Sequence, residues 1–155
     1  MKNFDDLIGC MHKIVGDQLD SYLSPPPAFT SMGGEFLDFD PDTKVLRSRF
    51  PIRDDYLNPY GFMQGGFTAA AIDNTIGPLS MLVAPPNVTR RLTITYSEPV
   101  HPQIGSITIS AKLTELQHPR ISFRADVRSP AGKRLARAKA EHWILAENQG
   151  SKIQS

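Results

Sequence analysis

Cysteine is nearly absent. Cys10 stands alone among 155 residues, so no internal disulfide can form, and a reducing compartment such as the cytoplasm suits the chain. A surplus of either charge is also missing: 17 Lys and Arg face 16 Asp and Glu, for a formal net charge of +1. That balance gives no global attraction to nucleic acid or to an anionic membrane. No long apolar run occurs, and the opening MKNFDDLIGCMHKIVG, with its early acids, fails as a signal peptide or a membrane span. The histidines His12, His101, His118 and His142 are scattered, without ligand spacing to Cys10 or neighbouring acids, so no metal site is expected. Neither a G-x-S-x-G elbow nor a glycine loop of the P-loop or dinucleotide type appears, which disfavours those hydrolases and nucleotide enzymes.

What is present describes one ordinary globular domain over residues 1–155, with 40% hydrophobic and 21% charged residues. Residues 3–23 place Phe4, Leu7, Ile8, Met11, Ile14, Val15, Leu19 and Tyr22 at helical spacing, and the prolines of SPPPAF stop that helix. Two strands follow at 33–40 and 43–52, paired across the turn DPDT, with the inward phase of Phe36, Leu37 and Phe39 ambiguous. A small-residue helix opens at Gly65 and Gly66, and Pro78 should kink or end it near Gly77. Four alternating strands then run over 89–96, 106–113, 121–127 and 135–145, before a flexible tail at 148–155. In the first of them Leu92, Ile94 and Tyr96 share a face; in the last, Ala136, Ala138 and Ala140 do.

Consecutive strands with short turns favour an antiparallel sheet, and segregated helices make the class α+β. Small faces on the middle helix (Ala69, Ala70, Ala71) and on the last strand permit close backbone approach. The expectation is a curved sheet wrapped around one central helix, with an extra helix at the N-terminus.

The chemistry concentrates in NPYGFMQGGFTAAAIDNTIG, residues 58–77. The first N–H groups of a helix lack intrahelical partners and carry partial positive charge, and glycines there let a ligand carbonyl come close. Gly65 and Gly66 thus suit an oxyanion-type site. Asp73 lies seven residues beyond Gly66 on nearly the same helical face, about 10 Å along the axis. Near-attack contacts of about 3–3.5 Å exclude one carbonyl carbon touching both groups of a single chain. If both serve one reaction, a second copy lends its Asp73, and a dimer with shared sites follows. The bland alternatives are a solvated helix carboxylate or an ion pair with Arg90 or Arg91.

These residues resemble the hot-dog-fold thioesterases of the phenylacetate-pathway, PaaI-like type. That family's pattern is Asn-x-x-Gly-x-x-His-Gly-Gly followed by Asp and Gly; here it reads Asn58, Gly61, Gln64, Gly65, Gly66, Asp73 and Gly77. TRRLTITYSEPVHPQIGSI and GKRLARAKAEHWI are similar to two of its strands, so the resemblance spans roughly residues 30–145. It implies a sheet "bun" around a helix "sausage", a homodimer or dimer of dimers, and hydrolysis of acyl-CoA thioesters, with coenzyme A as part of the substrate and no separate cofactor.

Carried over by position, the resemblance has the Gly65 N–H polarise the thioester carbonyl while Asn58 holds the carbonyl or the water. Asp73 of the partner chain acts as general base or nucleophile, and Thr89 orients water. Gly66 leaves room for the substrate, Arg90, Arg91 and Arg120 are candidates for coenzyme A phosphates, and Phe62, Met63 and Tyr60 for the acyl pocket. Ordinary surface arginines and interface packing are the competing readings of those last two groups. Gln64 departs from the family histidine: an amide donates and accepts hydrogen bonds but moves no proton. A non-catalytic acyl-CoA-binding module and a purely structural domain therefore stand as alternatives. Dehydratases of this fold need a His–Asp pair that the sequence does not display.

Overall fold

The computed structural model describes residues 4–22 and 25–146; the tail expected at 148–155 lies outside the described residues. The first helix is shorter than its periodicity predicts. Helix α1 spans Phe4–Val15 and gives way to a 3-10 turn over Gly16–Ser21. Gly16 marks the break, with φ of 69°, a left-handed conformation open to glycine and costly for other residues. A short helix that the sequence did not signal, α2 (Pro27–Ser31), begins with proline at its first turn and buries Phe29.

Strands β1 (Glu35–Asp40) and β2 (Val45–Pro51) pair antiparallel, as the turn between them predicts. A register shift between Phe36 and Asp38 resolves the ambiguous phase of β1. One extra residue in a bulge lets Phe36 and Phe39, three apart, both face the core. Helix α3 covers Gly65–Val83 and is followed by β3 (Asn87–Tyr96), β4 (Ser106–Gln117), β5 (Arg120–Arg128) and β6 (Arg134–Ile144). The six strands form one antiparallel sheet in the order β1-β2-β4-β5-β6-β3.

Alternation sets the inner face of the sheet. Ile107, Ile109 and Ala111 of β4 are buried, as are Ile121, Phe123, Ala125 and Val127 of β5 and Ala136, Ala138 and Ala140 of β6. Against this face α3 buries Ala71, Ile72, Ile76, Leu79 and Leu82.

Two expectations about α3 need correction. It lies chiefly across β4 and β2 rather than on the alanines of β6, because Ile107, Ile109, Leu46 and Phe50 supply the apolar area beneath it. Of the two outcomes expected at Pro78, a kink or an end, the end is excluded, because the helix runs on to Val83. Burial of Leu79 and Leu82 holds the last turns against the core, and the Ser80 hydroxyl donates to the Gly77 carbonyl at 2.7 Å.

Among the described residues strand β3 pairs only with β6 and forms one edge of the sheet. Leu92 and Ile94 are accordingly half-buried, while Tyr96 stays 48% exposed. Helix α1 packs on α3 and β1, the surface that its apolar stripe required. Among the described residues, no helix is long and apolar enough to cross a membrane.

Candidate active site

The segment before α3 is tied down by its own polar groups. Asn58 Oδ1 accepts the N–H of Tyr60 at 2.9 Å and that of Phe62 at 3.1 Å, closing a tight turn through Gly61. The Gln64 N–H donates to the Tyr56 carbonyl, and the Met63 N–H to that of Val100. Gln64 caps α3 in an extended conformation with its side chain exposed and no capping hydrogen bond from it.

At the helix start, Tyr96 Oη donates to the Gly65 carbonyl at 2.6 Å, and burial pushes the phenol's pKa up. A Cβ at Gly65 would meet the Tyr96 ring at 3.1 Å, so the close approach depends on glycine. Around Gly66 the space is open. The N–H groups of Gly65 and Gly66 have no hydrogen-bond acceptor among the described residues. They are the unpaired donors of a helix N-terminus.

Asp73 is exposed to solvent further along α3, eight residues from Gly65 and about 12 Å of helical rise away. It does not pair with Arg90 or Arg91. Its Oδ1 accepts from the Thr89 hydroxyl at 3.0 Å, across from α3 to β3. Thr89 Oγ1 in turn lies 3.2 Å from Nε2 of His142, and His142 Nδ1 lies 2.7 Å from Asn87 Oδ1. Four residues from three elements thus stand in one row: Asn87, His142, Thr89, Asp73.

His142 is the residue that sequence reasoning missed. It is only 2% exposed and stacks its ring edgewise on Phe123, with centroids 5.0 Å apart. Burial lowers its pKa below the ordinary 6.5, and the charge of Asp73 opposes that shift. The signal was present in the alternation: His142 continues the inward face of Ala136, Ala138 and Ala140. A histidine in that phase must be buried, and a buried histidine needs partners. Its nearness to Asp73 comes from pairing β3 with β6, strands separated by the whole of β4 and β5.

The row opens into a cavity of about 450 Å³. Asp73, Asn74, Thr89 and His142 form its polar end; Leu7, Ile8, Met11 and Val15 of α1, with Phe29, Phe36 and Met81, form its apolar walls. Such a volume falls in the range of small-molecule sites. Helix α1, an appendage in the sequence, is the roof of this chamber.

Other predicted residues lie elsewhere. Gly65, Gly66, Gln64 and Asn58 sit at the far end of α3 and do not line the cavity. Met63 is buried in an isolated bridge with Leu57, Phe62 packs against His101 at 4.7 Å between centroids, and Tyr60 is 84% exposed. Arg90 lies over the Trp143 ring at 5.5 Å, while Arg91 pairs with Glu141 at 3.7 Å and Arg120 with Glu115 at 3.3 Å. The structure thus brings Thr89 to Asp73 and leaves Gly65 apart within one chain. No group of three His, Cys, Asp or Glu side chains is placed to hold a metal ion among the described residues.

No protein-family model matches the sequence, and no curated protein matches it either. Among solved structures the chain is similar to a phenylacetic acid degradation-related protein from Ralstonia eutropha JMP134, at 23% identity over 82% of this chain and 97% of that one, with a TM-score of 0.72. It is similar also to a thioesterase from Haemophilus influenzae (17% identity, 79% and 85% coverage, TM-score 0.71). A third is a Streptococcus mutans UA159 protein bound to acetyl CoA (19% identity, 72% and 87% coverage, TM-score 0.66). At these identities the likeness establishes architecture: the chain has the hot-dog fold, an antiparallel sheet curved around a central helix, with an added N-terminal helix.

Proposed function

We propose that the protein is an acyl-CoA thioesterase, hydrolysing a thioester to a free acid and coenzyme A. The observation that carries the reading is the carboxylate of Asp73 at the mouth of an apolar chamber, held by Thr89 and open to solvent. An acyl group suits the apolar walls beneath α1, and its thioester carbon then lies beside Asp73. This moves the acyl site from Phe62 and Met63 to the space under α1. Two solved relatives, a thioesterase and a protein bound to acetyl CoA, support the substrate class.

The oxyanion donors come from a second copy in this proposal. Among the described residues the N–H groups of Gly65 and Gly66 have no acceptor, yet about 12 Å of helix separates Gly65 from the Asp73 of its own chain. A homodimer that sets one α3 start against the other chain's Asp73 completes the site. The exposed edge strand β3, with Val88, Tyr96 and the neighbouring Trp143 on the surface, is the face we assign to that contact. The single cysteine fits work in the cytoplasm.

In the reaction the helix-start amides stabilise charge on the carbonyl oxygen as the tetrahedral intermediate forms, an effect worth about 3–4 kcal/mol for one donor. Asp73 activates the water. Gln64 gives the alternative reading its footing, since an untitratable group stands at the helix start; a binding module takes up acyl-CoA without releasing thiol. Thiol release from a panel of acyl-CoAs, with wild type and Asp73→Ala, decides between the two. Turnover that disappears in Asp73→Ala is the expected result, and binding without turnover by wild type would favour the module.

A further inference from the structure

His142 is a buried imidazole that the chemistry above leaves unused, and its surroundings fix where its protons sit. Asn87 Nδ2 donates to the Pro85 carbonyl at 2.8 Å. Asn87 therefore turns its Oδ1 toward His142 Nδ1, 2.7 Å away. A carbonyl oxygen only accepts, so Nδ1 carries a hydrogen. At the other end of the ring, Nε2 lies 3.2 Å from Thr89 Oγ1, which lies 3.0 Å from Asp73 Oδ1.

Thr89 owns one hydroxyl hydrogen. With Asp73 ionised and His142 neutral, that hydrogen serves only one of its two neighbours, and the other contact sets two lone pairs against each other. The row holds one proton fewer than its geometry accommodates. A single added proton turns every contact into a hydrogen bond, either as imidazolium beside carboxylate or as imidazole beside carboxylic acid.

We propose that Asp73, Thr89 and His142 form one proton-accepting unit, in which Thr89 passes toward His142 the proton that Asp73 takes from the attacking water. The inference rests on the thioesterase reading and adds a positioning residue, His142, which acts on the attacking water only through Thr89 and Asp73. The step balances. As the water oxygen bonds to the thioester carbon, the carbonyl pair moves onto oxygen and a water O–H bond breaks toward Asp73. Asp73 hands a proton to Thr89 Oγ1 while Thr89 gives its own to His142 Nε2. When the oxyanion re-forms the carbonyl, the C–S bond breaks, and the proton returns along the row to the leaving sulfur. Acyl-CoA and water become acid and thiol.

The environment suits a proton held briefly. Burial disfavours a lasting imidazolium, whereas the Asp73 charge favours a transient one. From β3 the neighbours of His142 are the uncharged Asn87 and Thr89, and from β5 Ile121 and Phe123. Across the cavity α1 presents Leu7 and Met11; Tyr22 is the other ionisable residue on the wall. Glu141 and Arg91 pair on the opposite face of the sheet. The unit supplies the titratable imidazole that Gln64 cannot.

The test combines nitrogen-15 NMR of the histidine rings with kinetics. At pH 8, above the ordinary histidine range of about 6.5, His142 should be the Nδ1–H tautomer, and Asp73→Asn should lower its pKa. Thr89→Val should cut kcat by about 100-fold with KM unchanged and shift the acid limb of the pH profile, and Thr89→Ser should restore kcat to within about tenfold of wild type. The proposal is overturned by an Nε2–H tautomer, by a His142 pKa indifferent to Asp73→Asn, or by wild-type kcat and pH profile in Thr89→Val. A wild type that releases no thiol from any acyl-CoA removes the thioesterase reading alone, because the NMR measurements probe the unit without substrate.

Discussion

Replacing Asp73 by alanine should separate stability from activity. The folded protein loses one hydrogen bond, from the Thr89 hydroxyl at 3.0 Å, at a solvent-exposed carboxylate. A hydrogen bond to a charged group is worth about 1.5–3 kcal/mol, and exposure to solvent puts this one at the low end. Alanine in mid-helix returns up to about 0.7 kcal/mol of propensity that aspartate lacks. The net change is within about 1 kcal/mol, and for a chain of this size it moves Tm by no more than about 2–4 °C. Loss of a general base, in contrast, costs about 100- to 10,000-fold in kcat. The assay is release of free thiol from acyl-CoAs, run beside thermal unfolding of the same preparations. A folded Asp73→Ala protein with wild-type turnover would refute the catalytic reasoning. A variant that fails to fold would contradict the placement of Asp73 outside the core.

The remaining expectations concern the core, the chamber and pH. Ile109→Ala removes a fully buried side chain beneath α3 and should destabilise by about 2–5 kcal/mol, read from denaturant unfolding. Met11→Trp extends a side chain of α1 into the cavity and should shift preference toward shorter acyl groups, by a factor of about 10 or more per methylene excluded. An unchanged chain-length profile in a folded Met11→Trp protein would place the acyl group elsewhere. For pH, burial depresses the His142 pKa below 6.5, so the unfolded chain binds more protons in the window beneath that value. This contribution is fully present above about 6.5 and is lost as the pH falls toward the folded pKa. Denaturant midpoints should therefore decline on acidification through that window, and His142→Asn should flatten the decline.

Much of this architecture was readable wherever local chemistry and tertiary packing agree. Strand β5 is the plain case: Ile121, Phe123, Ala125 and Val127 alternate, and all four are buried. The turn at 40–43 announced the β1–β2 hairpin. Local rules failed where packing overrode them. Pro78 would end an isolated helix, but Leu79 and Leu82 have a core to enter. Periodicity carried α1 through Gly16, whose left-handed backbone stops it. The candidate site divided in the same manner. Asp73 and the glycines stand out in the sequence because small residues and a lone charge make an unusual helix. His142 does not, because its surroundings depend on β3 lying next to β6, a long-range pairing that no short motif encodes.

The roof of the chamber and the polar row beneath it come from separate stretches of chain. Leu7, Ile8, Met11 and Val15 belong to a segment set off from the rest by a glycine joint at Gly16, while Asp73, Thr89 and His142 are fixed to the helix and sheet. Under the thioesterase proposal, a lineage carrying this design can retune what it accepts by editing a dozen N-terminal positions, away from the groups assigned to bond cleavage. Breadth of diet and competence at the proposed reaction would thereby be free to evolve at different rates.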